Sequence, residues 1–222
     1  MFERPLKLRH DPERSEVFFT SDTHFNHNKE FIYKARGYNS VQEYNTGVIN
    51  TINNCVKPDD VLIHLGDFCL NITMFEYEDI LRKINCNNIY YIWGNHNSCI
   101  RRSYDLSLQR IYTLPRGQDI PALQVYPHKD GKITYLGDYK ELIVNGQMIV
   151  LSHYPFQIYN QMQKGAWHLS GHCHYNNPTT RAESTQNKVL DVGWDGHNKP
   201  LSFWGVMEIM KTKNHVKLDK TH

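Results

Sequence analysis

Apolar runs in this chain stop repeatedly at short polar clusters. EVFFTSD breaks into DTHFNHN, DDVLIH passes through one leucine into Gly66-Asp67, and NNIYYIW ends in GNHN. Short runs of β-branched and aromatic residues bounded in this way predict buried strands. The intervening stretches KEFIYKARGY, VQEYNTGVINTINNCV and FEYEDILRKIN place apolar residues at helical spacing instead. Three strand-then-polar units separated by helices predict an α/β fold whose functional residues gather at strand carboxyl ends.

The second half changes character. ELIVNGQMIVLSHYPF carries Asn145-Gly146 between two apolar runs, a strong hairpin signal, and GAWHLSGHCH and KVLDVGWDGH again run from strand into polar cluster. A second, more antiparallel sheet packed against the first is therefore expected. Gly137-Asp138 reads as a turn before the hairpin. Residues 98–132 are weakly periodic and carry Arg101, Arg102, Arg110 and Arg116, which predicts a variable loop or cap with a solvated basic face. KTKNHVKLDKTH reads as a tail.

Composition narrows this picture without redirecting it. A chain of 222 residues is long enough for one substantial core, so a single domain spanning 1–222 is expected. The net charge of +2, the pI of about 8.2 and the mean hydropathy of −0.62 describe a soluble protein without the basic excess that coats nucleic acid; nucleic acid is allowed but not implied. The charged start MFERPLKLRH resembles no signal peptide, and no run approaches the ~20 apolar residues of a membrane span. The expectation is a cytoplasmic protein without a membrane partner. Five widely spaced cysteines without a Cys-x-x-Cys pair suggest reduced, structural thiols.

The thirteen histidines are more informative, because many sit where apolar runs end. Collected from those ends, Asp22, His24, Asp67, Asn95, His153, His172 and His174 form a carboxylate, imidazole and amide set without thiolate, suited to manganese, iron or zinc. One ion cannot use them all. If Asp67 is shared, Asp22, His24 and His174 serve one ion and Asn95, His153 and His172 the other, which gives each four protein ligands and leaves positions for water and substrate. Residues two apart on an extended segment project the same way, which suits Asp22 with His24 and His172 with His174, although a turn could split the last pair.

In order and approximate separation, SDTH, LGD, GNH, SHYP and GHCH resemble the motifs of the calcineurin-like metallophosphoesterases, over about residues 17–203. That resemblance implies a four-layer α-β-β-α sandwich of two mixed sheets with flanking helices. It also implies two divalent ions, with manganese favoured, and phosphoester hydrolysis by direct attack of a hydroxide bridging them. Two divalent ions outweigh the charge of Asp22 and Asp67, so the site would attract an anionic phosphate. His96, next to Asn95, is the family's candidate for protonating the leaving alkoxide, help worth ~10²- to 10⁴-fold. Many members follow Gly-Asn-His with a carboxylate, and some carry an Asp three residues after the bridging one. Asn97 and Leu70 stand at those places here. An amide can orient the imidazole but cannot hold its charge, which favours a substrate with a better leaving group.

Other residues divide between site and scaffold. His27 could face the substrate phosphate, and Arg36 could reach it bidentately. His64 reads as a core or ligand-orienting residue, Cys173 as packing, and Asp195 with His197 as a structural turn at the last strand end. The expected substrate is a small phosphodiester, with a nucleotide as one such substrate. A broad phosphomonoesterase, a nuclease on single-stranded nucleic acid and a noncatalytic metal-retaining scaffold are the alternatives.

Overall fold

The computed structural model describes residues 5–8, 15–97, 100–101, 128–130 and 132–215. In chain order its elements are β1 (Leu6–Leu8), β2 (Val17–Thr20), α1 (Glu30–Tyr33), α2 (Val41–Cys55), β3 (Val61–His64), α3 (Met74–Lys83) and β4 (Asn88–Tyr91). Then follow β5 (His128–Asp130), β6 (Ile133–Tyr135), β7 (Tyr139–Val144), β8 (Gln147–Ser152), β9 (Trp167–Ser170), β10 (Val189–Asp191), α4 (Trp194–His197), β11 (Leu201–Ser202) and α5 (Phe203–Thr212). The strands form two mixed sheets, one ordered β11-β2-β3-β4-β6-β5 and the other β1-β7-β8-β9-β10.

Alternation along each strand decides which layer a residue serves. Phe18, Leu62, Ile89 and Tyr91 face α2 and α3, where they meet Tyr44, Val48, Ile52, Tyr77 and Ile80. Val17, Phe19 and Ile63 point the other way, into the seam between the sheets, against Leu142, Ile149, Leu151, Leu169 and Leu190. Ser40 caps α2 by accepting from the Glu43 N–H, and Thr73 and Glu76 form a reciprocal capping box at the start of α3. These helices therefore begin where their sequences say they should. The outer face of the second sheet is covered differently. Val150 and Val189 meet Tyr159, Met162 and Ala166 from a loop whose only regular part is a 3₁₀ turn, Met162–Lys164. Among the described residues no long helix covers that face.

The second sheet is less antiparallel than expected. Only β7 and β8, joined at Asn145 and Gly146 with φ of 49° and 84°, pair antiparallel; β1 with β7, β8 with β9 and β9 with β10 are parallel. Local turn chemistry fixed the hairpin, whereas the later strands arrive by crossovers, which leave neighbours parallel. The parallel direction aligns strand ends. Thr20 registers with His64 and His64 with Tyr91, so the residues that follow emerge on one edge, beside those after β8, β9 and β10.

The expected 98–132 cap lies largely outside the described residues, as do Arg102, Arg110 and Arg116. At its margins, β5 adds an edge strand, and Arg101 pairs bidentately with Asp138 at 2.7 and 3.0 Å, which replaces the expected solvated arginine there. The tail reading fails at its start: Lys211 and Thr212 belong to α5, and Lys213 is buried, donating to the Arg181 and Ser184 carbonyls. Among the described residues no helix is long and apolar enough to cross a membrane.

One buried side chain sets a pH limit on this core. His168 is fully enclosed, its Nε2 accepts the Phe156 N–H at 2.8 Å, and its Nδ1 donates to the Val150 carbonyl at 3.0 Å. That arrangement needs the neutral ring, and burial pushes the imidazolium down to about 4 from 6.5. Between those values the unfolded chain binds a proton that the folded chain refuses, so stability is lost as pH falls through the window. At about 1.4 kcal/mol per pH unit the loss is about 3 kcal/mol. Unfolding free energies measured in chelator from pH 7 to pH 4 should fall by about that much relative to His168→Gln, whose amide can serve both partners. Parallel curves would contradict this assignment.

Candidate metal centre

At the aligned strand ends the backbone turns sharply. Asp22, His24, Asp67, His172 and His174 have φ between 47° and 66°, the left-handed region that costs a non-glycine residue about 1 kcal/mol or more. Hydrogen bonds hold these turns. The Asp22 and His24 N–H groups donate to the Gly66 and Asp67 carbonyls, both at 3.0 Å. The His172 N–H donates to Asp22 Oδ2 at 3.0 Å, and the His96 N–H to Asp67 Oδ1 at 2.9 Å. Glycines leave room for the carboxylates: a Cβ on Gly94 would stand 2.1 Å from Asp67 Oδ1, and one on Gly171 would stand 2.2 Å from Asp22 Oδ2.

The seven expected ligands converge there. His24 Nε2 lies 3.2 Å from His174 Nε2 and 3.8 Å from Asp22 Oδ1, and His174 Nε2 lies 4.0 Å from the same oxygen. On the other side, Asn95 Oδ1 lies 2.9 Å from His153 Nε2 and 3.1 Å from His172 Nδ1. Asp67 Oδ2 stands between, 3.9 Å from His24 Nε2 and 3.4 Å from His153 Nε2. Donors that share one ion at about 2.1 Å lie about 3 to 4 Å apart. Asp22, His24 and His174 form one group that could hold an ion, and Asp22, Asp67 and His153 form another, so Asp22 is common to both, while Asp67 reaches the first only through His24 Nε2 at 3.9 Å.

The electrostatics suit a cation. Burial pushes the Asp22 carboxyl up to about 6, and its Oδ1, fully enclosed, has no hydrogen-bond partner. Burial would raise Asp67 too, but the hydrogen bond and charge of His153 hold it down at about 2. Burial pushes the His24 imidazolium down to about 3, which leaves a neutral ring with a lone pair to offer. Oxygen and imidazole donors of this kind could hold manganese, iron or zinc.

Three residues take roles that differ from the expected ones. Arg36 does not face the open site. Its five N–H donors go to Asp195 Oδ1 and Oδ2 at 2.7 and 2.8 Å, to the Asp22 and Thr23 carbonyls at 3.0 and 3.2 Å, and to the Tyr44 hydroxyl. No donor is left for a phosphate. Asp195 is more than a turn residue, because its Oδ2 also accepts from His174 Nδ1 at 2.6 Å. Asn97 turns away from His96 into the core, where its Oδ1 accepts from the Asp67 N–H at 2.9 Å and from the Tyr91 hydroxyl, so it positions a ligand's backbone and not the neighbouring imidazole.

The remaining residues are placed as follows. His96 lies at the rim with its side chain 46% exposed and Nε2 4.0 Å from Asp67 Oδ2. The His27 ring is 5.6 Å from that of His24, and its Nδ1 is enclosed without a partner. His64 is buried in the core with Nε2 3.0 Å from Thr23 Oγ1. Sequence reasoning missed Asp191, fully buried, which accepts from the Tyr175 and Gly193 N–H groups and so fixes the turns on either side of the site. Its position at the end of a strand in KVLDVG was the available signal.

No protein-family model matches the chain. Over 82 residues, 37% of its length, it is 33% identical to an uncharacterized protein of Methanocaldococcus jannaschii, MJ1445. That match spans 47% of the relative, so the chain spans about half the length of the curated relative it matches. Among solved structures, the crystal structure of the protein of unknown function AQ665 from Aquifex aeolicus aligns with a TM-score of 0.57 at 20% identity, over 88% of this chain and 99% of that one. This second likeness concerns the fold.

Ion binding should offset the buried charge and the strained turns. Manganese added to chelated protein is expected to raise the midpoint of thermal unfolding, increasingly with concentration. Gly94→Ala, whose methyl would displace Asp67, should lose most of that rise; an equal rise in both proteins would contradict the geometry.

Proposed function

We propose that the protein is a metal-dependent phosphoesterase of calcineurin-like architecture, holding two divalent ions and hydrolysing a small phosphodiester by direct attack of water. The observation that carries this reading is the position of Asp67 Oδ2, within 4.0 Å of imidazole nitrogens from His24, His153 and His96. One carboxylate oxygen thus borders both ligand groups and the rim where a leaving group would depart. Asp22, His24 and His174 would hold one ion, Asn95, His153 and His172 the other, and Asp67 both. Bound divalent ions supply Lewis acidity at phosphoryl oxygens and lower the pKa of a bound water to about 7.

The chain's own groups do the rest. The carboxylates of Asp22 and Asp67 are too few to neutralise two divalent ions, which keeps the site attractive to a phosphate. His96, half exposed on the rim, donates a proton to the leaving oxygen as the P–O bond breaks. Among the described residues the one carboxylate within 4.0 Å of His96 is Asp67, already committed to the ions. That supports a substrate whose leaving group needs modest help. Exposed aromatics stand on either side: Tyr154, 48% exposed, packs on His172 at 4.6 Å between ring centres, and Phe31, 71% exposed, packs on His27 at 6.1 Å. Faces of this kind suit a nucleobase, and a nucleotide is the favoured substrate class.

The purified protein with manganese should hydrolyse bis-p-nitrophenyl phosphate faster than p-nitrophenyl phosphate. The reverse order would make it a monoesterase, and no turnover of either with bound metal would leave a scaffold. His96→Ala should keep its ions and lose about 10²- to 10⁴-fold in turnover of a diester with a poor leaving group. An unchanged rate would remove His96 from the mechanism.

A further inference from the structure

We propose that Asp195, clamped by Arg36, positions His174 and thereby makes the ion position of Asp22, His24 and His174 the tighter of the two. This rests on the two-ion reading above.

An imidazole offers one nitrogen to a ligand only when the other carries the proton. Asp195 Oδ2, 2.6 Å from His174 Nδ1, holds the proton on that nitrogen and leaves the lone pair on Nε2, which faces His24 Nε2 and Asp22 Oδ1. A carboxylate there also strengthens the imidazole as a donor. The carboxylate is itself fixed: Arg36 grips it through Nε and Nη2 and spends its other donors on the Asp22 and Thr23 carbonyls and the Tyr44 hydroxyl. One guanidinium therefore joins the turn that carries Asp22 and His24 to the acid that orients His174, across 159 residues of sequence. The Arg36 side chain is 4% exposed and that of Asp195 25%, so water screens this pair little.

The other position has no such support. His153 Nδ1 meets a neutral acceptor, the Leu65 carbonyl, at 2.8 Å. Asn95 is an uncharged ligand, and both it and His172 are exposed. The ion held there should exchange more readily. A purely structural ion pair between Arg36 and Asp195 would predict no difference between the two positions.

The test is calorimetric titration of chelator-stripped protein with zinc, together with long-range ¹H–¹⁵N spectra of the histidine rings in the loaded protein. The wild type should bind two ions with distinct affinities and show His174 protonated at Nδ1. Asp195→Ala should weaken the tighter ion about 10- to 100-fold, leave the weaker one within about twofold, and lose the single His174 tautomer. Arg36→Lys, which cannot make the bidentate grip, should reproduce much of that loss, and the double variant should be no worse than Asp195→Ala. Equal affinities for the wild type and Asp195→Ala, or equal weakening of both ions, would overturn the proposal while leaving the two-ion reading intact. A wild type that binds no zinc would overturn both. If Asp195→Ala does not fold, His174 protonated at Nε2 in the zinc-loaded wild type would be decisive against it.

Discussion

Asp22 and Asp67 lie almost fully buried where the two sheets meet, one at the end of β2 and the other just past β3. A carboxylate taken out of water is costly by several kcal/mol unless hydrogen bonds and opposite charge replace its hydration. Much of the surrounding architecture answers that requirement. The His96 and His172 N–H groups donate to the two side chains, and Gly94 and Gly171 leave the space that the carboxylates occupy. Histidines from four separate turns supply the facing nitrogens. One oxygen, Asp22 Oδ1, is left without a partner, and that is where a cation has most to offer.

The arrangement is expensive in backbone conformation as well as in charge. Five of the seven expected ligand residues adopt left-handed φ, at about 1 kcal/mol or more each. A sum of about 5 kcal/mol is comparable with the entire net stability of an ordinary domain, about 5 to 15 kcal/mol. The compensation comes from elsewhere: three well-packed apolar clusters, strand-end hydrogen bonds between neighbouring turns, and the Arg36 clamp that fixes two turns at once. The scaffold thus fixes the turns that set these donors facing one another.

Much of the fold was legible because its signals are local. Short β-branched and aromatic runs marked β2, β3 and β4, apolar residues at helical spacing marked α2 and α3, and Asn145-Gly146 marked a hairpin whose positive φ values those two residues tolerate. The direction of β9 and β10 was not legible, since a crossover and a hairpin leave the same pattern within a strand. For the same reason Arg36 and Asn97 were misread. A helix-end arginine looks free to grip a phosphate until Asp195 is brought to it, and an amide after His96 looks like a ring partner until β3 and β4 lie side by side and offer it the Asp67 N–H.

By itself, the sequence determined which residue types stand at the strand ends, because strand length, turn chemistry and the placing of Asp, Asn and His after apolar runs are properties of contiguous residues. The tertiary structure alone decided which of them face one another. Hydrogen bonds between residues far apart in the chain, such as Arg36 to Asp195 and Asn97 to Asp67, depend on the stacking of two sheets and on parallel register. Those are set by the burial of whole faces, and no short stretch of residues encodes them.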